Sequence, residues 1–356
     1  MSTSKEKINL AILGATGNVG RKFIEIIEER NFQFDSLKLL ASEKSAGNKI
    51  KVKGKEYFVE VASKDSFKDI DLVLASAGGT ISKELVPHAV KAGAVVIDNS
   101  SAYRMDKDVP LVVAGVNNEA LKNHKGIIAN PNCTTAQLVV PLKVLHETAT
   151  LKRVIVSSYQ SVSGAGKAAM DELTEQTKEC LSRDLPWQVS YNSKTVNRKF
   201  AFNVIPHIDV FAEDGYTKEE LKVINETRKI LGIPDLKITC TAVRVPVYIS
   251  HSESVNVEFQ KAVSREQIIK SFNEYGKKNP GMLEIFDDPE NLKYPMAIDV
   301  AEKDPVYVGR IRPDNSCPNT FNLWVVADNL RIGAALNAVR IAEIIVKESL
   351  LTTKCS

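Results

Sequence analysis

The sequence contains no run of about 18 apolar residues, the length that a membrane-spanning helix requires, so no transmembrane segment is expected. Its first seven residues are polar and lack the apolar stretch of a secretory leader, and a soluble, cytoplasmic protein is expected. No C-x-x-C pair occurs. The five cysteines (Cys133, Cys180, Cys240, Cys317 and Cys355) are odd in number and far apart, which disfavours a disulfide framework or a zinc site. No metal ligands are assigned. Excess charge is also missing: 47 basic against 44 acidic residues leave a net +3, no basis for binding nucleic acid or a membrane surface. Internal repeats and low-complexity segments are absent.

What is present is ordinary for a globular enzyme. The chain has 356 residues, 44% hydrophobic and 26% charged, which fits two domains or one large α/β unit. Residues 8–13 (INLAIL) read as a buried parallel strand, 14–20 (GATGNVG) as a glycine loop, and 19–30 as an amphipathic helix. Strands are predicted at 37–41, 70–75, 94–98 and 111–115, with a helix at 83–92. A strong helix pattern covers 134–149. Beyond it the style changes: β-rich runs at 152–158, 237–249 and 254–263 stand among helices at 167–183, 217–231 and 264–275. The last helix, 331–351, is expected to return to the first domain. The polar stretch 182–199 is the best candidate for a long surface loop or lid. The fold class predicted is α/β: an N-terminal Rossmann-like dinucleotide-binding domain, 1–132 with 330–356, and an α+β domain with a mixed sheet, 133–329.

Gly14-x-x-Gly17-x-x-Gly20 between a strand and a helix suits a pyrophosphate. Glycine permits a tight turn, and the helix start offers N–H groups and partial positive charge. Gly14, Thr16, Gly17, Asn18 and Val19 are the candidate contacts; the bland reading is a plain strand-to-helix turn. Near the end of the second strand, Ser42, Lys44 and Ser45 could hold a 2′-phosphate, which favours NADP over NAD. Glu43 in the same segment argues the other way.

Asn130-Pro131-Asn132-Cys133 leads into the helix at 134–149. A cysteine at a helix N-terminus sits where the dipole favours a thiolate nucleophile, and no other cysteine here has that setting. Of the five histidines, His251 lies in a polar cluster (SHSES) after a β-rich run, a natural place for a base; His207 is its rival.

Taken together, GATGNVG, SEKSAG, DNSSAYRMD (98–106), NPNCTT, YQSVSGAG (159–166), NVIPHIDVF, EELK (219–222), RVPV and SHSES resemble the aspartate-semialdehyde dehydrogenases. The segments run nearly the whole chain in family order, closer to the bacterial than the fungal branch. The resemblance implies that Cys133 is the acyl-thioester nucleophile, His251 the general acid/base, and Gln160 an orienting group beside the thiol. It implies that Arg244 binds the substrate carboxylate, a role its planar fork suits. Glu219, with Glu220 as competitor, would meet the substrate amino group. Arg104 and Lys222 would hold phosphate, and Asn132 would line the substrate site. Ser163, Gly164 and Asn329 would approach the nicotinamide. Substrates would be aspartate semialdehyde, aspartyl phosphate and inorganic phosphate; the assembly would be a homodimer or homotetramer. The competing readings are another acyl-phosphate reductase and a non-catalytic NADP-binding regulator on the same fold.

Overall fold

The computed structural model describes residues 8–182 and 199–351. The chain divides into two compact units, Met1–Asn132 with Ala334–Ser356, and Cys133–Gly333. The predicted loop at 182–199 lies outside the described residues except for its two ends.

The first unit is built on a seven-stranded sheet. Its strands are β1 (Asn9–Leu13), β2 (Ser36–Ala41), β3 (Lys49–Val52), β4 (Lys55–Val61), β5 (Leu72–Ala75), β6 (Val95–Asp98) and β7 (Ile127–Ala129). Their order is β3-β4-β2-β1-β5-β6-β7. All pairings are parallel except that of β3 with β4. The chain reverses direction of winding at β1, with β2 on one side and β5 on the other. Ligands of such sheets bind at the C-terminal ends of the strands flanking that point. β1, β5 and β6 are buried on both faces, hence their unbroken apolar runs.

Helix α1 (Asn18–Glu29) buries Phe23, Ile24, Ile26 and Ile27. Helix α2 (Gly79–Lys91) starts four residues before its predicted position, at Gly78-Gly79. The β3–β4 hairpin was not foreseen. Its signal is weak because the turn is Lys53-Gly54, both at positive φ (47° and 80°), rather than the usual Asn-Gly, and the flanking strands are rich in lysine.

The strand predicted at 111–115 is a correction. Only Leu111 bridges, to Ala129. Val112 N still donates to Ala129 O (3.1 Å) and Val113 O accepts from the Val116 N–H (3.0 Å), but much of the remaining backbone is satisfied by side chains. Asn117 accepts from Val113 N (3.0 Å) and donates to Leu111 O (2.9 Å). Asn337 accepts from Ala114 N (2.9 Å) and donates to Val112 O (2.8 Å). With Asn118, which accepts from Gly115 N (2.7 Å), three asparagines take much of the place of a neighbouring strand, a solution that apolar periodicity cannot reveal.

The second unit carries strands β8 (Leu151–Gln160), β9 (Lys237–Arg244), β10 (His251–Phe259), β11 (Leu283–Ile285), β12 (Val306–Pro313) and β13 (Thr320–Ala327). They form a mixed sheet in the order β11-β12-β13-β10-β8-β9. Helix α3 (Cys133–Ala149) is buried nearly all round. It packs on β8, β10, β12 and β13, between α5 (Lys218–Leu231) and α6 (Arg265–Lys278). Helix α4 (Lys167–Leu181) packs with the turn Val162–Ala165. A short helix, α7 (Ala297–Val300), lies against β13.

Strand β10 begins at His251, three residues earlier than predicted, because Ser252 pairs with Tyr159 on β8 and His251 with Ala327 on β13. The final helix differs most. Residues Arg331–Ala335 form a π-turn, and only Leu336–Lys347 is α-helix (α8), packed in the first unit on α1, β5 and β6. Single π-turns of this kind recur at functional sites. No helix among the described residues is long and apolar enough to cross a membrane.

Candidate active site

Five elements of the second unit bring polar side chains to one point. Cys133 opens α3. Gln160 ends β8, Arg244 ends β9 and His251 starts β10. Glu219 lies in the first turn of α5. Strand pairing sets two of them side by side, since Gln160 is the register partner of Arg244.

The Cys133 Sγ stands 3.3 Å from His251 Nε2. The sulfur is half-buried, whereas His251 is fully buried. Burial, then the neighbouring Arg244 cation, push the imidazole pKa down to about 3, against a smaller opposing effect of the Ser250 backbone, so the ring is neutral at physiological pH. On its other side, Nδ1 accepts the Ser161 backbone N–H at 3.1 Å.

Arg244 is buried, its Nη1 donates to Ser161 O at 2.6 Å, and its charge faces both Glu219 and Cys133. Gln160 Nε2 reaches Glu219 Oε1 at 3.3 Å and Ser158 Oγ at 3.2 Å. Lys222 Nζ binds Glu219 Oε2 (3.2 Å) and Asp209 Oδ2 (2.7 Å), and these two carboxylates, offset in part by burial, raise its pKa. Glu219 is therefore aimed into the cluster. Glu220 is not: its oxygens accept from Thr217 N (2.7 Å) and Ala242 N (2.9 Å), closing the capping box of α5 and pinning that helix to β9. His207, the rival to His251, stacks on the exposed ring of Phe211 with centroids 4.4 Å apart.

Gly333 and Gln137 of this cluster went unremarked in the sequence. Gly333 lies in the π-turn against Cys133: a Cβ there would fall 2.8 Å from Cys133 Cβ and 3.0 Å from its Cα. A lone glycine within a helical pattern was the available signal. Gly164 is similarly constrained, with a Cβ position 3.3 Å from Arg244 Nη1 and 3.4 Å from His251 Nε2. Gln137, one turn along α3, donates to His251 O at 3.3 Å. Beyond it lies Glu253, fully buried, its carboxyl pushed well above the usual range by burial. Ser161, Ser163 and Ser250 converge on Asn329, whose Oδ1 lies 3.1, 3.1 and 2.9 Å from their donors. Asn132 is buried beside Cys133.

Gly333→Ala is expected to cut the rate of Cys133 alkylation by iodoacetamide about tenfold, because the added methyl displaces the cysteine from its place beside His251. The measurement is alkylation rate on folded protein, with unchanged circular dichroism as control. An unchanged rate contradicts the close packing described.

The first unit has its own candidate site. Gly14 adopts φ +88°, and a Cβ there would meet the Ser76 carbonyl carbon at 2.9 Å. A Cβ on Gly20 would strike Gly14 O, so α1 can approach the loop only with glycine there. Gly17 is the N-cap of α1 and provides no side-chain cap, leaving the helix start to a ligand. A cavity of about 340 Å³ opens at this loop, lined by Gly14, Thr16, Gly17, Ser42, Ser76 and Glu84 among others. Thr16 Oγ1 donates to Ser45 Oγ at 3.2 Å, tying the loop to the segment after β2. Asn18 and Val19 form the first turn of α1; Lys44 is exposed, and so is Glu43. These features fit a dinucleotide: a glycine cradle, an uncapped helix start and a polar rim at the strand ends. Ser76 was missed; it follows the predicted strand at 70–75.

Arg104 lies in the loop after β6, buried, with Nη2 donating to Asn99 O at 2.9 Å. Asp98 braces that loop, accepting from Ser82 Oγ (3.0 Å), Ser100 N (2.9 Å) and Ser100 Oγ (2.8 Å).

Comparison with known proteins agrees with both units. Residues 9–124 match the family model "Semialdehyde dehydrogenase, NAD binding domain", and 142–332 match "Semialdehyde dehydrogenase, dimerisation domain". The aspartate-semialdehyde dehydrogenase of Aquifex aeolicus is 51% identical over 96% of this chain and 99% of its own. A crystal structure of aspartate semialdehyde dehydrogenase II from Vibrio cholerae, complexed with ASA, superposes with TM-score 0.90 at 43% identity, covering 97% of this chain and 99% of that one. The Candida albicans aspartate semialdehyde dehydrogenase with NADP gives TM-score 0.75 at 27% identity, covering 97% and 99%. With near-complete coverage in sequence and in fold, and with both family models matched, the chain belongs to the aspartate-semialdehyde dehydrogenase family.

Proposed function

We propose that this chain catalyses the reversible, NADPH-dependent reductive dephosphorylation of L-4-aspartyl phosphate to L-aspartate 4-semialdehyde, in lysine, threonine and methionine synthesis. The observation that carries the proposal is the pairing of Cys133, at the start of a buried helix, with the neutral His251 and the buried Arg244.

The Cys133 thiolate attacks the acyl carbon of the aspartyl phosphate. The S–C bond forms as the C–O bond to phosphate breaks, and phosphate departs with that electron pair. A thioester remains on Cys133, keeping the acyl group activated; thiolate is both a strong nucleophile and a good leaving group. NADPH, bound at the glycine loop, supplies the hydride. His251, 3.3 Å from the sulfur, is the general acid/base and assists the proton movements at Sγ and at the resulting oxyanion two bonds away. The oxyanion collapses to the aldehyde as the C–S electrons return to sulfur. In the oxidative direction phosphate attacks the thioester.

Arg244 holds the substrate carboxylate, with a fork that suits two oxygens. Glu219 meets the amino group, and Gln160 orients the substrate beside the sulfur, with Asn132 lining the site. Lys222 and Arg104 hold phosphate. Gly14, Thr16, Gly17, Asn18 and Val19 take the pyrophosphate; Ser42, Lys44 and Ser45 take the 2′-phosphate; Ser163, Gly164 and Asn329 border the nicotinamide. Glu43, exposed, does not oppose NADP. The second unit carries a homodimer interface, or that of a dimer of dimers, and the enzyme works in the cytoplasm.

The test is NADPH formation from aspartate semialdehyde with and without inorganic phosphate. Turnover that requires phosphate supports the proposal. Absence of turnover in folded, NADP-binding protein overturns the substrate, and turnover independent of phosphate overturns the acyl-phosphate product.

A further inference from the structure

Glu253 is fully buried, and the thioester chemistry makes no direct use of it. It stands two residues along β10 from His251, so the two side chains share the face of the strand on which α3 packs. From α3, Gln137 donates through Nε2 to His251 O at 3.3 Å, and its side chain also interacts with that of Glu253.

The polar atoms here do not balance if Glu253 is ionised. Three buried acceptors then lack a hydrogen-bond donor among the described residues: both carboxylate oxygens and Gln137 Oε1. Turning the amide over does not help, because its nitrogen is needed at the His251 carbonyl. Ser158 stands opposite Glu253 in register on β8, but its Oγ serves Gln160 Nε2 at 3.2 Å and makes no bond to the carboxyl. One proton on Glu253 resolves the arrangement. The acid O–H donates to Gln137 Oε1, and the remaining carbonyl oxygen costs far less to bury than a carboxylate.

We infer that Glu253 is a positioning residue: a neutral carboxylic acid that donates to Gln137 Oε1, holds the Gln137 amide against the His251 carbonyl, and so fixes the acid/base beside Cys133. The inference rests on the thioester reading for the proton transfers that His251 performs, but the proton on Glu253 is observable without turnover.

The surroundings suit a neutral acid. Burial pushes the Glu253 carboxyl well above the usual range, and the Gln137 amide offsets this only in part. No cation among the described residues favours its charge. Cys240 faces it from β9, its thiol held neutral by burial, and α5 brings Glu219 and Glu220 toward the same cysteine. β13 contributes the apolar Val325 and β8 the hydroxyl of Ser158. On its own strand, His251 is neutral.

The consequence is thermodynamic. The folded pKa lies above the unfolded value of about 4.3, so the folded state keeps a proton that the unfolded state releases. Stability is therefore lost as pH rises from about 4.3 toward the folded pKa. Glu253→Gln carries no such loss, and its stability relative to wild type should rise from acid to neutral pH.

The test is infrared difference spectroscopy of wild type against Glu253→Gln at mildly alkaline pH, where exposed carboxyls are ionised. A carboxylic-acid carbonyl band is expected in wild type and not in the variant. If Glu253→Gln does not fold, the band is assigned by its shift in Gln137→Leu. Carboxylate bands alone, or a stability difference that stays flat from acid to neutral pH, overturn the inference while leaving a phosphate-dependent activity standing. Failure of that activity would sink the reading of function and leave the proton located. Kinetics separate positioning from packing. Glu253→Gln keeps a donor for Gln137 Oε1 and should hold kcat within about threefold of wild type. Glu253→Leu should lower kcat about tenfold with KM for aspartate semialdehyde unchanged. Gln137→Leu should do the same, and the double variant should be no slower than either, because both break one chain of bonds. Equal losses in the two Glu253 variants, losses that multiply in the double variant, or a Glu253→Leu that loses thermal stability but not kcat contradict the positioning role.

Discussion

Cys133→Ser is expected to lower phosphate-dependent turnover by about four orders of magnitude or more while the protein stays folded and still binds NADP. Serine matches the cysteine in size, so the packing against Gly333 survives. What is lost is the chemistry. A hydroxyl is far less acidic than a thiol, and an ester is a poorer acyl donor than a thioester. The cavity at the glycine loop lies in the other unit, lined by Gly14, Thr16 and Gly17, and does not include this residue. Stopped-flow or steady-state NADPH formation, with NADP titration as control, checks it. Turnover within tenfold of wild type would remove Cys133 from the mechanism.

The second large effect is expected at Arg244. Arg244→Leu should reduce kcat/KM for aspartate semialdehyde by about a thousandfold, or roughly 4 kcal/mol of transition-state stabilisation. Three roles meet in this one buried side chain. Its charge faces the Cys133 sulfur, its Nη1 fixes the Ser161 carbonyl, and its charge balances Glu219. Arg244→Lys should recover little of the loss, because a single ammonium cannot fork to a carboxylate and reach Ser161 as well.

Removing the cation also changes the histidine. Arg244 lowers the His251 pKa, so its loss raises it. In wild type the folded pKa, about 3, lies below the unfolded value of about 6.5. The unfolded state thus binds the proton first, and stability is lost as pH falls from about 6.5 toward about 3. In Arg244→Leu that acid-side loss is smaller at His251. Denaturation midpoints at two pH values measure the difference; an unchanged or larger acid-side loss contradicts the electrostatic account.

The glycine loop, the parallel sheet and Cys133 at its helix start were legible from the chain alone. Each is a local pattern: β1, the loop and α1 are contiguous, and so are Pro131, Asn132, Cys133 and α3. His251 was read from its polar cluster, with His207 as rival, but Gln160, Glu219 and Arg244 were reached through family resemblance rather than spacing. The members of the site come from residues 133, 160, 219, 244 and 251, and the pairing of β8 with β9 and β10, with α3 and α5 packed on those strands, brings them together.

The missed features are those where side chains replace backbone or where the reason for a residue lies far away in sequence. Asn117, Asn118 and Asn337 complete much of the backbone of 111–115, so a strand-like run is not a strand. Gly333 is glycine because Cys133, 200 positions earlier, leaves no room for a Cβ. Glu219 and Glu220 are chemically identical neighbours; only the capping box of α5 shows which one is structural. The π-turn at Arg331–Ala335 interrupts an amphipathic pattern that reads as one continuous helix.

The central claim is that Cys133 carries the acyl group, and peptide mass spectrometry of the trapped enzyme tests it most directly. Enzyme is mixed with aspartate semialdehyde and NADP in the absence of phosphate, quenched in acid and digested. The account predicts one aspartyl group per chain, on the peptide containing Cys133, released when phosphate is added before the quench. An aspartyl group on another cysteine, or none on any residue in enzyme that turns over once phosphate is present, would contradict it.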